Sequence, residues 1–164
     1  MIPYDIIKKI PKVELHDHLD GGLRPQTVID LAAKQDVAIP SQDPAELASW
    51  FEKGCKLKSL PLYLETFAVT TSVMQTEEAL QRVAYEAVLD WHRENIVYGE
   101  IRFAPVLHTN LGLTMDDVVR AVLSGQINDR LRPETSVKVV VKLNLGNLLY
   151  DVIWNHGNPR IQIP

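Results

Sequence analysis

The chain has 164 residues, 46% of them hydrophobic and 23% charged, with a formal net charge of −4. This composition fits one folded domain with a sizeable core and excludes a disordered or highly charged chain. The acidic balance gives no electrostatic case for nucleic acid, and no apolar run approaches the roughly 20 residues of a membrane span. Cys55 is the single cysteine, so no disulfide framework is available and a reducing cytoplasm is the expected compartment.

The first expected strand runs from Lys12 to His18, followed by a loop punctuated by Gly21 and Gly22. Pro25 fits the first turn of a helix whose apolar stripe is Val28, Ile29, Leu31 and Ala32. Asp43-Pro44-Ala45-Glu46 reads as a second helix start, with an acceptor at the N-cap, Pro at N1 and Glu reaching back. Leu47, Trp50 and Phe51 form the buried face of that helix. A further helix follows Ser59, with Leu60, Tyr63, Leu64 and Phe67 three and four residues apart. Thr76 is placed to cap the longest helix, which buries Leu80, Val83, Ala84, Ala87, Val88 and Trp91.

A second strand is expected from Ile96 to Ala104, closed by Pro105. Thr114 with Asp117 opens another helix, and Val137 to Leu145 reads as a third strand. Strands alternating with helices predict parallel βα units, an α/β sheet or part of a barrel. After Gly125 the character changes: five of the seven asparagines lie there, and the charge balance turns from acidic to basic. Residues 1–145 therefore read as one unit and 146–164 as a divergent tail with no clear period.

Chemistry concentrates in Glu14-Leu15-His16-Asp17-His18-Leu19-Asp20-Gly21-Gly22. Side chains alternate along a strand, so His16 and His18 share a face and Asp17 takes the other. Two imidazoles at the C-terminal end of a strand, where parallel α/β folds keep their active sites, can hold one divalent metal. A His-x-His pair on a strand is also compatible with two surface residues, and catalytic zinc takes three protein ligands. Physics alone reaches half a metal site. Glu100 and Arg102 share a strand face and read as structural. His92, His108 and His156 read as surface or loop residues rather than ligands, and Cys55 has no nearby histidine to activate it.

Pro11 to Pro25, Ser59 to Phe67 and Val97 to Pro105 together resemble, in order, three motifs of the adenosine deaminase family. The resemblance implies a zinc-dependent (β/α)8 barrel that hydrolyses the 6-amino group of adenosine or 2′-deoxyadenosine to give inosine or 2′-deoxyinosine and ammonia. It implies that His16 and His18 are zinc ligands, that His18 also lies beside the nucleoside, and that Asp20 accepts a hydrogen bond from the ribose 5′-hydroxyl. It further implies that Leu60, Tyr63, Leu64 and Phe67 form a hydrophobic lid. Stripes at that spacing otherwise belong to ordinary cores.

A complete barrel of this kind needs about 250 residues, so the expected fold is a partial TIM barrel holding about the first three strands. The family's later motifs are a His-Ala-Gly-Glu that supplies a third zinc histidine and the glutamate proton donor, and a pair of adjacent aspartates. The His-Ala-Gly-Glu does not occur in this sequence, and its one pair of adjacent aspartates, Asp116-Asp117, falls in the helix opened by Thr114, before the third strand. The expectation is therefore an adenosine deaminase chain that is truncated and poorly active or inactive. The alternative is a non-catalytic partial barrel that self-associates through unpaired strand edges or complements a separate C-terminal half.

Overall fold

The computed structural model describes residues 2–56, 60–126, 138–145, 148–155 and 158–162. A short helix, α1 (Tyr4–Lys9), leads into strand β1 (Lys12–His18) and a 3-10 turn, Leu19–Gly21. Four helices follow: α2 (Pro25–Gln35), α3 (Pro44–Lys56), α4 (Leu60–Ser72) and α5 (Glu77–Arg93). Then come β2 (Ile96–Phe103), a second 3-10 turn (Pro105–His108), α6 (Met115–Gln126), β3 (Lys138–Leu145), β4 (Leu148–Asn155) and β5 (Asn158–Gln162).

Local signals set the helix starts. Asp43 Oδ1 accepts from the backbone N–H groups of Ala45 and Glu46, each at 2.9 Å, satisfying two donors that a helix N-terminus leaves open. Glu46 does not reach back to Asp43 as expected; its carboxylate accepts from the Ser41 hydroxyl, which in turn accepts from the Asp43 N–H. Thr76 accepts from Ala79 N–H and starts α5. Thr114 and Asp117 cap α6 reciprocally, Thr114 N–H to Asp117 at 2.9 Å and Asp117 N–H to Thr114 at 3.2 Å. Helix α1, for which the sequence shows no period, is held by the Lys12 ammonium, which donates to the carbonyls of Ile7, Lys8 and Ile10.

The sheet order is β1-β2-β3-β4-β5. β1, β2 and β3 are mutually parallel, in the manner of the opening strands of a barrel, whereas β4 and β5 add in antiparallel fashion beyond β3. Asn95, at φ 58°, makes the left-handed turn from α5 into β2; its carbonyl accepts from Lys12 N–H and its amide donates to Lys9 O. One residue thus ties α1, β1 and β2 together at the base of the sheet.

The core lies between one face of the sheet and the helices. Ile101, Phe103, Val141 and Leu143 supply the sheet side, and Val28, Leu31, Leu80, Ala84, Val118 and Val122 the helix side. Ile101 pairs with Val141 and Phe103 with Leu143, so these side chains stand side by side on that face. Salt bridges join Arg24, at the start of α2, to Asp90 of α5 and Arg82 of α5 to Asp30 of α2, while Arg82 also pairs with Glu86 within α5.

The pairing of β1 with β2 contains a bulge. Glu14 pairs with Gly99 and Asp17 with Ile101, so three steps on β1 match two on β2. Glu14 and Asp17 consequently both face the helices, while Leu15, His16 and His18 are exposed on or beside the other face. Bulges of this kind re-aim side chains and recur beside functional sites.

Candidate functional site

His16 and His18 come together as the strand pattern predicts. Their ring centroids are 5.3 Å apart with planes tilted by 38°. Both sit at the C-terminal end of β1 and are exposed on the side opposite the helices. Asp20 follows in the 3-10 turn and is only 4% exposed. Its Oδ1 lies 3.7 Å from His18 Nδ1, too long for a hydrogen bond, and has no other hydrogen-bond partner among the described residues. Burial pushes the Asp20 carboxyl above its ordinary value, and the neighbouring His18 only partly offsets this. A buried carboxylate oxygen with an open lone pair, two residues beyond an exposed imidazole, is suited to receive a ligand hydroxyl.

Helix α4 closes one side. Phe67 meets His18 edge-on with ring centroids 6.0 Å apart, and Tyr63 stacks on Phe67 in the same manner at 5.2 Å. Gly21 permits this approach, because a Cβ there would stand 3.1 Å from the Phe67 ring. Tyr63 and Leu64 remain exposed, at 38% and 52%, so half of the expected lid face is open to solvent beside the histidines. The Leu60 side chain lies outside the described residues.

On β2 and β3, the face shared with His18 carries charge. Arg102 is the register partner of His18, and Lys142 is the register partner of Arg102. Lys142 Nζ lies 3.1 Å from Glu100, which also accepts from the Tyr98 hydroxyl at 2.9 Å. Burial tends to raise the Glu100 carboxyl, but Tyr98 and Lys142 together outweigh it and hold the group below its ordinary value. Glu100 is thus an ionised, bonded group, in keeping with a structural role.

Two imidazoles on one strand face fit two positions of a tetrahedral zinc site, whose ligands include neutral histidine nitrogens. Among the described residues no group of three or more His, Cys, Asp and Glu converges on one point. The residues present fit a metal as a half-site.

His92 is exposed on α5, as expected, and His156 lies outside the described residues. His108 differs from expectation. It follows β2 in the second 3-10 turn but is fully buried, with Nδ1 3.1 Å from Met74 O and its ring 6.0 Å from that of Phe103. The sequence places it beside Pro105 and Thr109 in what looks like an exposed loop; the contact to Met74, 34 positions earlier, buries it.

The family model described as Adenosine deaminase matches residues 11–145. Adenosine deaminase of Mycobacterium ulcerans (strain Agy99) is 57% identical over 122 residues, which are 74% of this chain and 34% of that protein. Adenosine deaminase of Mycobacteroides abscessus is 56% identical over 120 residues, 73% of this chain and 33% of that protein. The chain therefore spans about a third of the length of the curated relatives it matches. Among solved structures, adenine deaminase from Arthrobacter aurescens superposes with a TM-score of 0.68 at 22% identity, over 81% of this chain and 39% of that one. An amidohydrolase from Burkholderia ambifaria with bound Zn gives 0.66 at 24%, over 86% and 38%. Arabidopsis ADAL complexed with GMP gives 0.66 at 25%, over 85% and 41%.

Proposed function

The chain belongs to the adenosine deaminase family, and from that membership we propose that it carries the opening portion of a zinc-dependent deaminase acting on adenosine and 2′-deoxyadenosine. The observation that supports this reading is the joint placement of His16, His18 and Asp20 at the C-terminal end of β1, with Phe67 of α4 against His18.

In this reading His16 and His18 hold the metal. The chemistry such an ion supplies is Lewis-acid activation of water for hydrolysis. His18, between Asp20 and Phe67, contributes to the wall of the nucleoside site. Asp20, buried and with an open oxygen lone pair, accepts from the ribose 5′-hydroxyl and fixes the sugar end. Tyr63, Leu64 and Phe67 offer the nucleoside an apolar surface beside the histidines, as the lid the resemblance implies.

The third histidine, the glutamate that protonates the purine ring and the aspartate pair of the family are absent from these residues. We therefore propose that the chain on its own binds metal weakly and turns over little or no adenosine. Zinc titration of the wild type against a His16→Ala, His18→Ala double variant tests the ligands: binding in the wild type that disappears in the variant is the expected result. Equal binding by both would remove the metal reading. Adenosine consumption by the purified chain that rises with zinc content would overturn the expectation of inactivity.

A further inference from the structure

Between the two histidines stands Asp17, to which the resemblance assigns no role. Its Oδ2 accepts from the indole N–H of Trp91 at 3.0 Å, a contact spanning 74 positions of sequence. Trp91 reaches that point because β2 has Gly99 beneath it: a Cβ on Gly99 would fall 2.0 Å from the indole ring, inside any real contact. Gly99 is therefore a socket, Trp91 the side chain that fills it, and Asp17 the group its N–H reaches. The bond borders a cavity of about 110 Å³ lined by Asp17, His18, Asp90 and Trp91 among others. The hydrogen bond holds the Asp17 carboxylate on the helix side, at the edge of this space.

The place of this bond in the strand matters. The β1 bulge falls between Glu14 and Asp17, so the ladder to β2 loses its regular register just before the histidines. A bulge leaves the ladder locally disrupted and bends the strand, so the direction beyond it is not set by regular pairing alone. Asp17 is the first residue beyond the bulge that pairs with β2 again, and it is the residue whose side chain is tied down on the helix side.

We propose that Asp17 is a positioning residue: the Trp91–Asp17 hydrogen bond anchors β1 beyond its bulge and thereby sets the direction in which His16 and His18 project. This rests on the reading of those histidines as metal ligands. Asp17 itself stands on the opposite face and does not touch the metal position. Burial raises the Asp17 carboxyl above its ordinary value, opposed by the Trp91 bond. Asparagine also offers an acceptor oxygen, so the role requires an acceptor at this position and no charge.

The test uses the full chain, with Zn²⁺ alone as probe, and measures affinity beside the ring-to-ring NOE between His18 and Phe67. Asp17→Ala removes the acceptor, Asp17→Asn keeps one, and Trp91→Phe removes the donor while retaining most of the ring. Asp17→Ala and Trp91→Phe are expected to bind Zn²⁺ about tenfold more weakly and to lose the NOE, whereas Asp17→Asn keeps both. Wild-type affinity and NOE in Asp17→Ala would overturn the proposal. So would weakening shared equally by Asp17→Asn, or weakening that thermal melts trace wholly to unfolding. If the wild type takes no Zn²⁺ while the NOE follows the expected order, the metal reading fails and the positioning role stands.

Discussion

His108 Nδ1 lies 3.1 Å from the carbonyl oxygen of Met74, and that geometry fixes the tautomer. A carbonyl only accepts, so Nδ1 carries the proton and the buried Nε2 is a bare acceptor with no partner among the described residues. Gln75 repeats the link, donating to Leu107 O and accepting from Asn110 N–H. Together they fasten the end of α4 to the segment that follows β2.

A pH dependence follows. Burial lowers His108 from 6.5 to about 4, while the Met74 bond works weakly the other way. Above pH 6.5 the imidazole is neutral in both folded and unfolded chains, so its contribution to stability is fully present. As pH falls from 6.5 towards 4, the unfolded chain takes up a proton that the folded chain refuses, and stability drops. The shift corresponds to about 3 kcal/mol across that window. Urea midpoints measured from pH 7 to pH 4 are expected to fall less steeply in His108→Gln than in the wild type. Identical slopes would show that His108 does not stay neutral in the fold.

Gly99→Ala puts a methyl group into the space of the Trp91 ring. Overpacking of this kind costs roughly 1–3 kcal/mol, and it should move Trp91 off Asp17 as well. Trp91→Leu in the Gly99→Ala background relieves the clash, so the two substitutions should be strongly non-additive in a double-mutant cycle read by urea unfolding. Additive costs would mean that the ring has another place to go.

The Arg24 guanidinium grips Asp90 with two parallel bonds, Nε to Oδ2 at 2.8 Å and Nη2 to Oδ1 at 2.5 Å. Both side chains are about a third or more exposed, so solvent screening limits the pair to around 1 kcal/mol. Arg24→Lys is expected to recover little of the loss seen in Arg24→Ala, because an ammonium cannot make the two-pronged contact. Melting temperatures of the three proteins at low and high salt check this, with the differences shrinking at high salt.

Among the described strands β1 has a hydrogen-bonded neighbour on one side only. Val13 and Leu15 are exposed on it at 59% and 55%, with Ile6, Ile7 and Ile10 exposed on and just after α1. Open strand edges recruit other strands, so the isolated chain is expected to self-associate. Light scattering on a size-exclusion column should show dimers or larger species, reduced by Leu15→Lys. A monomer at high concentration would count against edge pairing.

The sequence reveals what is decided within a few residues. The caps at Asp43, Thr76 and Thr114 are local hydrogen-bond pairs, and the shared face of His16 and His18 follows from strand alternation over two residues. The alternation of strands with helices is enough to expect that β1, β2 and β3 run parallel. What the sequence does not reveal depends on chain segments meeting from afar. Gly99 looks like a weak point in a strand until Trp91 is seen lying on it, and His108 looks like a loop residue until Met74 closes over it. Helix α1 has too few residues to show a period and depends on Lys12 and Asn95 from outside it.

The bulge in β1 gives the strand two phases. Alternation counted forward from Glu14, which faces the helices, would send His16 and His18 to the helices too; the extra residue reverses the count and turns both outward. Pairing the same residues without the bulge would therefore keep every side chain of the motif and yet point both imidazoles into the apolar layer. The site depends as much on the register of β1 against β2 as on the residues themselves.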